Sequence, residues 1–145
     1  IRDDLVLEFR RVLFRSGTIR WKDDAGNYHP LQYTKVTLIN NVTSDSLGSA
    51  YTSSSGYYSI TSNTTASSVY IQVSAQTSYV KATNASSVVY GINSIAFNCS
   101  GAITINLDFT MATEAGQSFQ LLQGANTFAR YASTMGGYGK VCIMV

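Results

Sequence analysis

His29 is the only histidine in this chain of 145 residues, and that limits the chemistry the sequence can carry. A zinc-peptidase helix sets two histidines four positions apart with a glutamate between them, because both imidazoles must reach one metal. One histidine cannot do this. A Ser-His-Asp triad would have to recruit His29, but serine is so abundant that such a coincidence carries no weight. His29-Pro30 reads as a surface loop pair. Asp23, Asp24 and Asn27, in "DDAGN", offer oxygens to a cation. The EF-hand spacing and its bidentate glutamate are absent, so the stretch reads as a turn in which Gly26 is free to take positive φ. "GGYGK", Gly136 to Lys140, lacks the four-residue spacer and the following Ser or Thr of a phosphate loop. It reads as a helix stop. No catalytic residue, cofactor site or metal ligand is expected, and the fragment itself is not expected to be an enzyme.

Aromatic side chains are the remaining candidates. A flat ring packs on a sugar face while polar neighbours bind the hydroxyls. Alternation with Ile19 assigns Trp21 to the core, which leaves Tyr57, Tyr58 and Tyr70 as candidate glycan-stacking residues. Cys99 and Cys142 are too few for a disulfide-stapled scaffold. They are expected to be unpaired, or partnered outside the fragment. Asn41, Asn63, Asn84 and Asn98 each open an Asn-X-Ser/Thr triplet, a pattern that a chain rich in Ser and Thr generates by composition.

Only 12% of residues are charged, about half the share in an ordinary soluble domain. Polarity comes from hydroxyls and amides, a habit associated with secreted bacterial β-domains. Hydrophobic residues make up 45%, enough for a core, and ten tyrosines favour strands. The net charge is +2; four of the ten bases and three of the eight acids fall in residues 1–16, leaving six bases against five acids in the body. No basic face is implied, so nucleic acid is not an expected partner. No apolar run is long enough to span a bilayer.

Residues 1–16 differ from everything after them. "LEFRRVLFRS", Leu7 to Ser16, holds Arg10, Arg11 and Arg15. An amphipathic helix would put Leu5, Phe9, Val12 and Leu13 on one face. A targeting segment would need an uninterrupted apolar region and a small-residue cleavage site, and has neither. The codons CTG GAG TTC AGA CGT GTG CTC TTC CGA TCT encode these ten residues and resemble the end of a common sequencing adapter. Residues 1–16 are therefore expected to be non-native, with natural sequence starting at Gly17.

From Gly17 onward the pattern is short strands between turn signals, the signature of an all-β sandwich. "GTIRWKD" alternates Ile19 and Trp21 against Thr18, Arg20 and Lys22. "LQYTKVTLIN" alternates imperfectly, which a bulge near Thr34 would reconcile. "LGSAYT" and "GYYSIT" flank "SSSG", which predicts a hairpin with Gly56 in its turn. "SSVYIQVSAQ" puts Val69, Ile71 and Val73 on one face; "SSVVYGI" and "GAITINLDF" complete the set. About seven such strands bury their apolar faces only as two stacked sheets.

The period then lengthens. Leu121, Ala125, Phe128, Ala132 and Met135 form one helical stripe. Thr113 is the expected N-cap, with Glu114 in the first turn and Gly136 and Gly137 as the stop. "KVCIMV" then opens a buried strand. The expected organisation is a sandwich over 17–112 and the start of a truncated second domain over 113–145.

The span 17–110 resembles the transthyretin-like sandwich of the carboxypeptidase regulatory-like family. The likeness rests on "GTIRW", on "PLQYTKVTLIN" with Pro30 and Val36, on "LGSAYTSSSGYYSI" with Thr52, Gly56 and Tyr57, and on "ITINLDF". It implies an immunoglobulin-like Greek-key fold and a non-catalytic accessory module that aids the folding or positioning of a neighbouring domain, often a secreted or cell-surface peptidase. "AQTSYVKATNASS", Ala75 to Ser87, exceeds a tight sandwich turn and suggests an extra hairpin. The alternative functions are a carbohydrate-binding module, with glycan or cell wall as partner, and a structural repeat of a surface adhesin.

Overall fold

The computed structural model describes residues 11–99, 101–110, 112–136 and 141–144. In chain order these form β1 (Arg11–Lys22), β2 (Tyr28–Pro30), β3 (Lys35–Asn40), β4 (Ser46–Tyr51), β5 (Tyr57–Thr64), β6 (Ser68–Ser74), β7 (Val80–Thr83), β8 (Gly91–Asn93), β9 (Phe97–Asn98), β10 (Ile103–Thr104), β11 (Leu107–Thr110), α1 (Glu114–Thr134) and β12 (Val141–Met144). The chain is mainly β, a two-sheet sandwich followed by a helix.

Strand β1 organises the first sheet. One of its edges carries β5 over Arg11–Thr18 and then β2 over Arg20–Lys22, both antiparallel. The other carries β10 and β11, both parallel. The second sheet runs β4-β3-β6, with β8 and β9 sharing the far edge of β6. Alternation is strictest in β6, where Val69, Ile71 and Val73 are fully buried and the residues between them are not. These side chains meet Val36 and Leu38 from β3, and Ile19, Tyr58, Ile60, Ile105 and Phe109 from the first sheet, in one core.

Two glycines permit this packing. A Cβ on Gly17 would overlap the Ile105 carbonyl oxygen, so β1 reaches that backbone only without a side chain there. Gly56 has φ 77°, and a Cβ on it would lie 2.5 Å from the Ile19 carbonyl oxygen.

Several local expectations are corrected. β4 and β5 do not form a hairpin: β4 pairs with β3 and β5 with β1, so the Ser53–Gly56 turn carries the chain from one sheet to the other. The long strand β1 supplies the edge that β5 pairs with. The irregularity near Thr34 is a left-handed Tyr33 (φ 55°) just before β3; the register shift in that strand falls at Leu38/Ile39. The long Ala75–Ser87 segment does hold a further strand, β7, which pairs in parallel with β12.

Residues 11–16 are strand rather than helix, while residues 1–10, with Leu5 and Phe9, lie outside the described residues. Arg15 points inward and is fully buried, with Ile60 and Ile103 as its cross-strand neighbours. One terminal nitrogen, Nη1, donates to the Phe14 and Gly101 carbonyls, whereas Nε and Nη2 are buried with no partner among the described residues.

Helix α1 begins as read: the Thr113 hydroxyl accepts from the Gly116 amide at 3.1 Å. Its buried face overlaps the expected stripe at Ala125, which packs against the core, but is otherwise rotated from it. Phe119 and Leu122 enter the sandwich core, and Phe119 packs 5.1 Å from Phe109. Leu121, Phe128 and Met135 are exposed. The Gln123 side chain explains the rotation. It accepts from the Gln32 amide at 2.9 Å and donates to the Gln32 carbonyl at 3.0 Å, fixing the helix to the β2–β3 loop. Phe119 and Leu122, with Ala125 and Ala129 beside them, therefore pack on the core of the sandwich.

Two substitutions test this account. Gly17→Ala should lower unfolding free energy by about 3 kcal/mol, because backbone must move to admit the methyl. Arg15→Met should raise it by about 1–3 kcal/mol, since burying N–H groups without partners costs more than burying a thioether. Urea melts of both variants measure the effects. A destabilised Arg15→Met would show that the two carbonyl contacts outweigh the orphaned nitrogens.

Candidate functional site

The outward face of the first sheet gathers the polar and aromatic groups that the alternation of β1 keeps out of the core. Thr18 lies opposite Tyr57, Arg20 opposite Pro30, and Lys22 opposite Tyr28. Tyr57, Pro30 and Tyr28 thus form a row along one flank of β1. Tyr57 and Tyr28 are separated by four residue steps of the central strand, about 13 Å. Both rings are close to half exposed, at 44% and 49%. On the other flank, Asn106 and Asp108 face the same way. Asn106 accepts from the Thr18 amide at 2.9 Å.

The centre of this face is a planar ion pair. Arg20 Nε and Nη2 donate to the two Asp108 carboxylate oxygens at 2.9 and 2.7 Å. Hydrogen bonding to Asp108, and then its charge, holds Arg20 above its ordinary pKa. The Arg20 guanidinium carbon also sits 4.5 Å from the Tyr28 ring centroid, with Lys22 Nζ at 5.5 Å. Exposed pairs of this kind contribute little to stability, about 0–1 kcal/mol. Their effect is to hold donors and acceptors beside the Tyr28 ring.

The three candidate stacking residues separate. Tyr57 is on the exposed face. Tyr58 is 1% exposed and points into the core, where its hydroxyl donates to the Ile105 carbonyl at 2.8 Å. Burial pushes its phenol pKa well up. Tyr58 is therefore removed as a stacking platform: adjacent strand residues face opposite sides, so Tyr57 and Tyr58 never could serve one face. Tyr70 is half-buried on the outward side of the second sheet, opposite Ile39. It does not join Tyr57. Tyr28 was not among the sequence candidates; its spacing of two from Pro30 was the available signal.

Near the C-terminal end of β1, Trp21 packs against the core as alternation requires and stacks on His29 at 4.4 Å. His29 Nε2 lies 2.8 Å from Asp23 Oδ2. Asp23 also accepts from the Asn27 amide at 2.8 Å, and its carbonyl accepts from Gly26, which has φ 90°. "DDAGN" is thus a turn that orients His29. Among the described residues no group of three or more His, Cys, Asp or Glu is arranged to hold a metal. Cys99 is a free, half-buried thiol; the Cys142 side chain and the "GGYGK" residues 137–140 lie outside the description. No helix among the described residues is long and apolar enough to cross a membrane.

No family model and no curated protein sequence matches the chain. Among solved structures it is similar to a 9R-lipoxygenase from Cyanothece PCC8801, with TM-score 0.43 and 13% identity over 94% of this chain. The chain spans 26% of that protein's length. It is also similar to a Pseudomonas aeruginosa protein described as a candidate carbohydrate binding protein, with TM-score 0.41 and 14% identity, covering 67% of this chain and 88% of that one.

The Asp23 turn makes a pH-dependent contribution. The hydrogen bond from His29, and then the Asn27 amide, lower the Asp23 pKa from 3.8 to about 2. A lowered carboxylate pKa means that the folded state holds its proton less tightly than the unfolded chain. The contribution is complete above pH 3.8 and is lost as pH falls through about 2. Denaturant unfolding of wild type and Asp23→Asn across that window should show wild type losing stability relative to the variant. Parallel curves would exclude the assignment.

Proposed function

We propose that this chain is a non-catalytic accessory β-sandwich of a secreted or cell-surface protein, and that it serves its neighbouring domain by contacting glycan through the outward face of the first sheet. The observation that carries the reading is the row of Tyr57 and Tyr28 beside the Arg20–Asp108 pair. Each half-exposed ring can offer a face to the C–H side of a sugar ring, Tyr28 the one turned away from Arg20. The planar arginine and carboxylate present donors and acceptors at the same level. The two rings are about 13 Å apart along β1. The face therefore suits an extended oligosaccharide rather than a single buried sugar. A composition low in charge and high in hydroxyl and amide groups agrees with an extracellular setting.

The parent gene discriminates between the remaining roles. A zinc-binding helix encoded downstream supports an accessory to a peptidase, whereas tandem copies of the sandwich favour an adhesin repeat.

Glycan-array and polysaccharide pull-down measurements on the full chain test the binding face. Tyr28→Ala and Tyr57→Ala should each weaken binding by about two- to twelvefold, the equivalent of roughly 0.5–1.5 kcal/mol per lost ring contact. Tyr58→Phe should lower stability and leave binding intact, because its hydroxyl serves the core. Binding that survives the double Tyr28/Tyr57 replacement would rule out this face.

A further inference from the structure

We propose that a cleft at the C-terminal end of α1 binds an acidic sugar, with Arg130 taking the carboxylate. The cleft has a volume of about 370 Å³ and is lined by Tyr79, from the β6–β7 loop, and by Arg130, Tyr131, Ser133 and Thr134. That volume falls in the lower part of the range for small-ligand pockets.

Arg130 is held ready for a ligand. Its guanidinium carbon lies 3.7 Å from the centroid of the Tyr33 ring, a contact that restrains the fork, and its N–H groups have no hydrogen-bond partner among the described residues. The ion pairs among the described residues are Arg20–Asp108 and His29–Asp23, and neither involves Arg130. A planar cation with no carboxylate partner among the described residues is suited to a bidentate oxyanion. Beside it, Tyr131 is 65% exposed and Tyr79 is half-buried, giving two aromatic bodies with polar tips. The Ser133 and Thr134 hydroxyls donate to the Arg130 and Tyr131 carbonyls at 2.8 and 2.6 Å. Their oxygens keep lone pairs to accept from ligand hydroxyls.

A cation, two rings and two acceptor oxygens match a ring that bears both hydroxyls and a carboxylate. A neutral sugar leaves the guanidinium unmatched. A short aliphatic carboxylate leaves the rings uncovered. The cleft is separate from the sheet face, so this assignment stands or falls independently of the glycan contact proposed there.

Titration of the full chain with glucuronate, glucose and acetate, followed by protein-observed NMR, tests the site. Glucuronate should bind at least roughly tenfold more tightly than either of the others, with shifts centred on Tyr79 and Tyr131. Arg130→Gln should weaken it by roughly tenfold or more, the fold-change for a lost charge-assisted hydrogen bond. Tyr131→Ala should weaken it as well. Both side chains are exposed, so melting temperatures should fall by no more than a few degrees, the equivalent of the lost Arg130–Tyr33 contact. Tyr28→Ala should leave glucuronate binding intact. Equal affinity for glucose or acetate, wild-type affinity in Arg130→Gln, or no binding of glucuronate overturns the proposal.

Discussion

The first sheet closes because the backbone of one residue, Ile105, is approached from three directions. Its carbonyl faces Gly17 at a separation that excludes any side chain, and the same carbonyl accepts the Tyr58 hydroxyl. Its amide donates to the Ser16 carbonyl at 2.7 Å. β1, β5 and the joint between β10 and β11 are thereby locked in one register. From that register the next residues of β1 follow. Ile19 receives the Leu31 amide and donates to Gly56, which sets β2 and β5 end to end along one edge. The order Tyr57, Pro30, Tyr28 on the outward face is a consequence of this backbone arrangement rather than of any contact among the rings.

The strands were legible where burial is one-sided. Val69, Ile71 and Val73, or Ile19 and Trp21, alternate because a pleated chain can hide only every second side chain. What alternation cannot encode is the partner. Ser46–Tyr51 and Tyr57–Thr64 are joined by a turn suited to a hairpin, yet each pairs with a different strand. The competing edge lies far away in the chain, in β1. Arg15 keeps the parity of Gly17 and Ile19 and so faces inward, but its charge breaks the apolar pattern, and no local pattern would place a guanidinium between Ile60 and Ile103.

The helix separates what propensity dictates from what packing dictates. Its start was readable from Thr113, because a cap is a local hydrogen bond. Its orientation was not. Apolarity favoured the Leu121–Phe128–Met135 stripe, but Phe119, Leu122 and the Gln123 bonds to the β2–β3 loop select a different face. Buried Ser118 and Asn126 on that face obscure it in sequence. The sites show the same division. Tyr57 was legible as an outward strand residue. Tyr28, and the Arg130–Tyr33 stack, depend on loops and on helix placement.

The pairing of β1 with β11 has a kinetic consequence. The residues in contact, such as Arg20 and Asp108, are 88 positions apart. Long-range parallel pairing is slow, because the loop must close before any ladder bond repays its entropy. At ordinary translation speeds the ribosome needs on the order of ten seconds to traverse that interval. For that time the nascent chain carries β1 with one edge unmated, the state in which molecular chaperones or misassembly compete for it.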